Sequence, residues 1–168
     1  MRAGILWLAV LVLPADSRAQ TSRFVCVPES TFSLGPARVG ELGPSAVARL
    51  GTPLAVRADT IEGADQYFPV TRYRYADFEI TVSQLNGRVA EVRALTNKLS
   101  TPLGLHLGRD RAAVEHRFPA GSLRKPSIRT GPDTLQAYAC PGLASTVDLT
   151  FTGNRLSGLL LHGFYPNN

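Results

Sequence analysis

The chain has 168 residues, two cysteines, three histidines and a formal charge of +5. It contains no Cys-x-x-Cys or His-x-x-x-His spacing, so no metal-ligand set is in view and a metal centre is not expected. It also has no Gly-x-Ser-x-Gly elbow, phosphate-binding glycine loop or dinucleotide fingerprint. No nucleic-acid-binding motif occurs, so neither a cofactor nor a nucleic-acid partner is predicted.

Met1-Arg2, an apolar run from Ile5 to Leu13, Pro14 and then Ser17-Arg18-Ala19 compose a secretory signal peptide over residues 1–19. The run is about half the roughly 20 apolar residues a membrane span needs. Cleavage after Ala19 would leave 20–168 as a single exported domain, periplasmic or secreted, with no transmembrane anchor after processing. In such a compartment thiols oxidise, and an even, minimal count predicts a Cys26–Cys140 disulfide. Two free thiols are the alternative, and geometry decides between them.

After a first arm around Phe24–Pro28, residues 29–42 hold Gly35-Pro36 and Gly40 and read as turn and loop. A short helix follows from Gly43, with Pro44 in the first turn, Gly51 as its left-handed stop and Pro53 beyond. Val47 and Leu50 give it an apolar edge.

Thr71 to Leu95 reads as three antiparallel strands. A two-residue Ala76-Asp77 turn sets Tyr75 against Phe78 and Tyr73 against Ile80. A three-residue Leu85-Asn86-Gly87 loop then sets Val82 against Ala90, Ile80 against Val92 and Phe78 against Ala94. A two-residue Asn86-Gly87 turn would oppose Ile80 to Arg93, so the apolar pattern selects the longer loop. Tyr73, Tyr75, Phe78, Ile80, Val82, Ala90, Val92 and Ala94 collect on one face, expected to be core. Arg72, Arg74, Glu79, Thr81, Ser83, Glu91 and Arg93 collect on the other, with Glu79 between Arg74 and Arg93.

A second helix starts at the N-cap Asp110 and buries Val114 and Phe118, and residues 120–133 read as a basic loop. Strands at Thr134–Ala139 and Ser145–Leu161 echo the first meander at an offset of 67 positions. The same register there would set Val147 against Leu159. The predicted fold class is therefore α+β: two tandem units of short helix plus antiparallel β-meander, about 24–95 and 100–165, in one compact domain.

Leu42-Gly43 and Leu107-Gly108 each precede a short helix and meander. This organisation resembles the beta-lactamase inhibitory protein architecture and the related module of small outer-membrane-assembly lipoproteins. The resemblance implies a module that carries no catalytic residues and binds other proteins through an exposed sheet face. The chain departs from it in lacking a lipid-attachment cysteine and the inhibitor's disulfides within each unit.

The sequence thus predicts a non-catalytic exported protein that binds another protein or a cell-envelope component. Its candidate partner-binding residues are Arg72, Arg74, Glu79, Glu91 and Arg93 on the polar face, with Tyr67 and Phe68 just before the meander. Two alternatives remain. One is a small envelope-acting hydrolase with a site near His106 and His116, flanking Asp110 and Glu115. The other is an anionic-surface binder using Arg109, Arg111, Arg117, Arg124, Lys125 and Arg129. Removal of residues 1–19 leaves a charge of +4, and the window 106–129 by itself carries +4.

Overall fold

The computed structural model describes residues 25–62, 66–125, 133–140 and 145–163. The signal peptide expected over 1–19 and the candidate Arg129 lie outside these residues. Among the described residues, no helix is long and apolar enough to cross a membrane.

In chain order the elements are β1 (Val27–Pro28), a 3-10 turn (Glu29–Thr31), β2 (Ser33–Leu34), β3 (Ala37–Arg38), α1 (Gly43–Leu50), β4 (Ala55–Glu62), β5 (Tyr67–Arg74), β6 (Phe78–Ser83), β7 (Val89–Ala94), α2 (Arg111–Glu115), β8 (Thr134–Cys140), β9 (Ser145–Thr152) and β10 (Arg155–Gly163). Among the described residues, eight strands form one sheet in the order β1-β8-β9-β10-β7-β6-β5-β4. The chain is mixed α and β with sheet dominant, as the α+β expectation requires.

Register explains the two faces. Val56, Tyr73, Ile80, Val92, Leu161, Val147 and Ala137 are successive cross-strand neighbours from β4 to β8. Side chains alternate between faces along each strand, so this row belongs to one side of the sheet throughout. On that side one continuous cluster of buried residues includes Ala46 of α1, Leu34 and Ala37 of the β2–β3 hairpin, Leu105, Val114 and Phe118. Residues 29–42, expected as turn and loop, therefore contribute to the core: Phe32 and Leu34 are almost fully buried.

The helices sit where the punctuation predicts. Pro occupies the first turn of α1 and Gly51 ends it at φ 81°. The buried edge is Gly43 and Ala46, with Val47 and Leu50 packed more loosely. Gly43 has no room for a side chain, because a Cβ there would lie 2.5 Å from Val82 Cγ1. Asp110 caps α2 by accepting from Ala112 N–H at 3.1 Å.

Four expectations are corrected. β4 was not anticipated; it is exposed along almost its whole length, so no apolar period marks it. The β6–β7 body has the predicted register, but Val82 pairs with Val89 because Ala90 is an extra residue in a bulge. The β9–β10 hairpin turns on Gly153-Asn154 and carries Ser157 as an extra residue in a bulge, so Val147 opposes Leu161 and Leu159 opposes Leu149. That is a two-residue shift, which preserves the faces where a one-residue shift would reverse them. The helix at Asp110 ends at Glu115, and Phe118 follows in a turn.

Both helices are joined to the last strand of the following meander by similar bonds. Gly40 N–H donates to Val89 O (2.8 Å) and Val89 N–H to Glu41 O (2.9 Å). In the second half Gly108 N–H donates to Leu156 O (2.7 Å) and Leu156 N–H to Arg109 O (2.9 Å). Arg88 reaches the Gly40 carbonyl and Arg155 the Gly108 carbonyl. The predicted Cys26–Cys140 disulfide is present, with Cα atoms 5.6 Å apart, and ties β1 to β8 as a parallel pair.

Candidate partner-binding face

The side of the sheet turned away from the helices carries two polar rows. Arg57, Arg72, Thr81, Glu91, His162, Thr146 and Tyr138 are successive neighbours from β4 to β8. Beside them run Ala55, Arg74, Glu79, Arg93, Leu160, Asp148 and Gln136. The predicted residues Arg72, Arg74, Glu79, Glu91 and Arg93 thus do share a face.

Their ion pairing differs from the expectation. Glu79 lies in register with both Arg74 and Arg93, yet its contact is to Arg72 Nη1 at 3.5 Å. Arg72 also donates to Asp59 (2.7 Å), Glu91 (3.3 Å) and Thr81 (3.3 Å). Burial works to lower the Arg72 pKa, but the Asp59 bond and the fields of Glu91 and Glu79 outweigh it and raise it. The Thr60 backbone N–H, followed by Arg72, holds the Asp59 carboxyl below its ordinary range. Arg72 is thereby consumed as the hub of the face. Arg74 and Arg93 remain exposed, with no ion pair among the described residues.

Beside Arg93 lies a groove of about 350 Å³ lined by Thr134, Asp148, Thr150, Gly158 and Leu160, among others. Gly158 carries no side chain to fill it, and a Cβ there would meet Thr150 at 3.0 Å. Asp148 closes one side. Its Oδ1 accepts from Gln136 Nε2 at 2.7 Å and its Oδ2 lies 3.2 Å from His162 Nε2. Sequence reasoning missed Asp148, Thr146, Gln136 and His162 as members of this face. Their one signal was strand parity, and it required the β7–β10 pairing.

Thr146, His162 and Asp148 contain the residue types of a hydroxyl-activating triad. The geometry is different: the same atom, His162 Nε2, faces both the Thr146 hydroxyl at 2.5 Å and the Asp148 carboxylate. A relay needs the carboxylate on the other ring nitrogen, so that the first can take the hydroxyl proton. This trio orders the sheet face and does not activate a nucleophile.

The remaining candidates disperse. Phe68 is 7% exposed, paired with Ile61 in register, and is removed as a surface residue. Tyr67 is 69% exposed, but its parity places it on the helix side at the β4 end. Arg109 bends back to the Gly104 carbonyl at 2.6 Å. Arg111 is held by Glu115 (2.8 Å) and Asp133 (2.6 Å) over the Phe151 ring, and those two bonds raise its pKa. These two side chains of the basic window are committed internally. Arg117 and Lys125 are exposed, and Arg124 pairs through its backbone with Gln136. His106 bonds the Leu107 carbonyl, His116 is exposed at the end of α2, and neither lines the groove. Among the described residues, no group of three or more His, Cys, Asp or Glu is placed to hold a metal.

Fold and face together define a sheet-dominated α+β chain that covers one side of its sheet with helices and presents a charged second side. No family model matches the chain, and no curated protein matches it. Among solved structures, the uncharacterized protein YfeY from Escherichia coli aligns with a TM-score of 0.49 at 11% identity, over 83% of this chain and 99% of that one.

Proposed function

We propose that this is a non-catalytic, exported protein, periplasmic or secreted, that binds another protein or an envelope component through the charged side of its sheet. The observation that carries the reading is the pair of exposed arginines, Arg74 and Arg93, which hold no ion pair among the described residues, with Arg93 lining an open groove. An arginine with no internal carboxylate keeps its fork of donors for a partner, and arginine is enriched where interfaces concentrate their binding energy. Export rests on the leader-like residues 1–19 together with the disulfide.

The equivalent helix-to-strand bonds support a tandem origin for the two halves, as do the strands β5–β7 and β8–β10, which begin at Tyr67 and Thr134. In that reading the second half lengthened its last hairpin, and the antiparallel bridge of Arg124 to Gln136 on β8 stands where β4 lies beside β5 in the first half. The resemblance to inhibitory-protein modules points to the same sheet face.

The test is capture from a cell-envelope extract by the purified protein and by Arg74→Glu and Arg93→Glu variants. One captured species should be lost with either variant while thermal melting stays within a degree or two. Capture that is indifferent to both charge reversals would sink the reading.

A further inference from the structure

The two edges of the sheet are unlike. β1 is two residues long, contains Pro28 and is pinned by the disulfide. These features protect an edge against pairing. β4 (AVRADTIE) is eight residues long, has neither Pro nor Lys, and among the described residues pairs on one side only. Large apolar side chains stand exposed at both of its ends: Leu54 (74%) and Val56 (56%) at the start, and Tyr67 (69%), in register with Glu62, at the finish.

The outward backbone groups can be assigned. Gln84 N–H donates to the Pro69 carbonyl (3.0 Å) and Tyr75 N–H to the Phe78 carbonyl (2.8 Å). Odd-numbered residues of β5 thus turn their backbone toward β6, and even-numbered ones toward β4. Arg74 conforms, accepting from Leu54 N–H at 2.7 Å. The register partners of Arg72, Val70 and Phe68 are Arg57, Asp59 and Ile61, so these bond inward. The N–H and C=O of Val56 and Ala58 and the C=O of Thr60 are left pointing out of the sheet, while the Thr60 N–H donates to Asp59 Oδ1 of its own chain at 2.8 Å.

We propose that the occupant of this edge is a second copy of the chain, paired antiparallel through β4 about a two-fold axis at Ala58. In that register the Val56 N–H donates to the Thr60 carbonyl of the second copy, Ala58 exchanges both bonds with Ala58, and the Thr60 N–H stays with Asp59 of its own chain. Arg57 stands opposite Asp59 at each end of the axis. These charged pairs fall at the non-hydrogen-bonded positions, where side chains approach most closely. An axis through Arg57 or through Asp59 would set like charges face to face, and larger shifts slide the strand ends apart. Arg57 is well placed to cross over: its side chain is 65% exposed, and its contact to Asp59 of its own chain is a loose 3.6 Å. The same register sets Ala55 against Ile61 and brings the two exposed Val56 side chains under cover. The dimer would carry two copies of the charged face on one continuous sheet, giving bivalent contact with a repetitive partner.

The test is sedimentation equilibrium of the purified protein, with crosslinking by engineered thiols. A concentration-dependent dimer is expected. Arg57→Glu should weaken association at least tenfold, Arg57→Lys should leave it nearly unchanged, and Ala58→Pro should abolish it. The Ala58 N–H makes no bond to β5, so the proline is tolerated by the fold and melting checks this. Ala58→Cys should form a covalent dimer on mild oxidation, because hydrogen-bonded antiparallel partners sit about 5.5 Å apart at Cα, within disulfide range. Arg57→Cys, facing Asp59, should not. A monomer at all concentrations, with no crosslink, overturns the proposal and leaves the edge to another protein's strand. A dimer that survives both Arg57→Glu and Ala58→Pro also overturns it, since another surface must then hold the copies together.

Discussion

Arg72 shows how one side chain organises a sheet face. Its guanidinium meets three carboxylates, and the side chains of Glu79 and Glu91 are only 13% and 12% exposed. Removing the cation leaves partly buried like charges facing one another, the condition in which breaking a pair is most destabilising. Arg72→Ala should therefore cost about 3 kcal/mol in chemical denaturation, and a loss under about 0.5 kcal/mol would show that the hub is not structural. Acid sensitivity follows from Asp59. Its folded-state pKa is lowered, first by the Thr60 N–H and then by Arg72, so near pH 4 the unfolded chain binds more protons than the folded one. Stability is full above the ordinary carboxylate range and is lost as pH falls through the folded value. Midpoints measured at about pH 5 and about pH 3 should differ less in Asp59→Asn than in the parent.

At the scale of elements, the short helix α1 depends on one close contact. α1 has eight residues, too few to persist alone in water. Gly43 N–H donates to the Gly87 carbonyl at 2.7 Å, and Val82 packs where a Cβ would stand. Gly43→Ala favours helix by intrinsic propensity but forces α1 off the β6–β7 hairpin, and overpacking of this kind costs about 1–3 kcal/mol. The expected outcome is a lower melting temperature; an unchanged or higher one would mean that Val82 gives way freely. Helix limits were legible to within a few residues because Pro44, Gly51 and Asp110 act locally. The β2–β3 hairpin was not, because Leu34 and Ala37 are buried by neighbours distant in sequence.

At the scale of the molecule, the disulfide closes a separation of 114 residues and holds β1 on the sheet. Two residues of parallel strand cannot persist by themselves. The paired Cys26→Ser/Cys140→Ser variant should lose up to about 4–5 kcal/mol, the loop-entropy limit for a bridge of this length. Reduction of the parent should reproduce that loss, and hydrogen exchange should rise first at Val27. Equal stability with and without the bond would mean that the arm docks without it.

By itself the sequence determined what depends on alternation and local chemistry: the two-faced β5–β7 meander, the helix caps, and the membership of Arg72, Arg74, Glu79, Glu91 and Arg93 on one side. It did so because side-chain parity is a property of each strand, whatever lies beside it. Only the tertiary structure decided which carboxylate each arginine holds. Asp59 arrives on β4, a strand exposed on both faces that leaves no apolar imprint in the chain. Likewise, Asp148 and His162 join the face through the β7–β10 pairing. That pairing brings residues from the two halves together through backbone bonds, and backbone bonds carry no sequence signature.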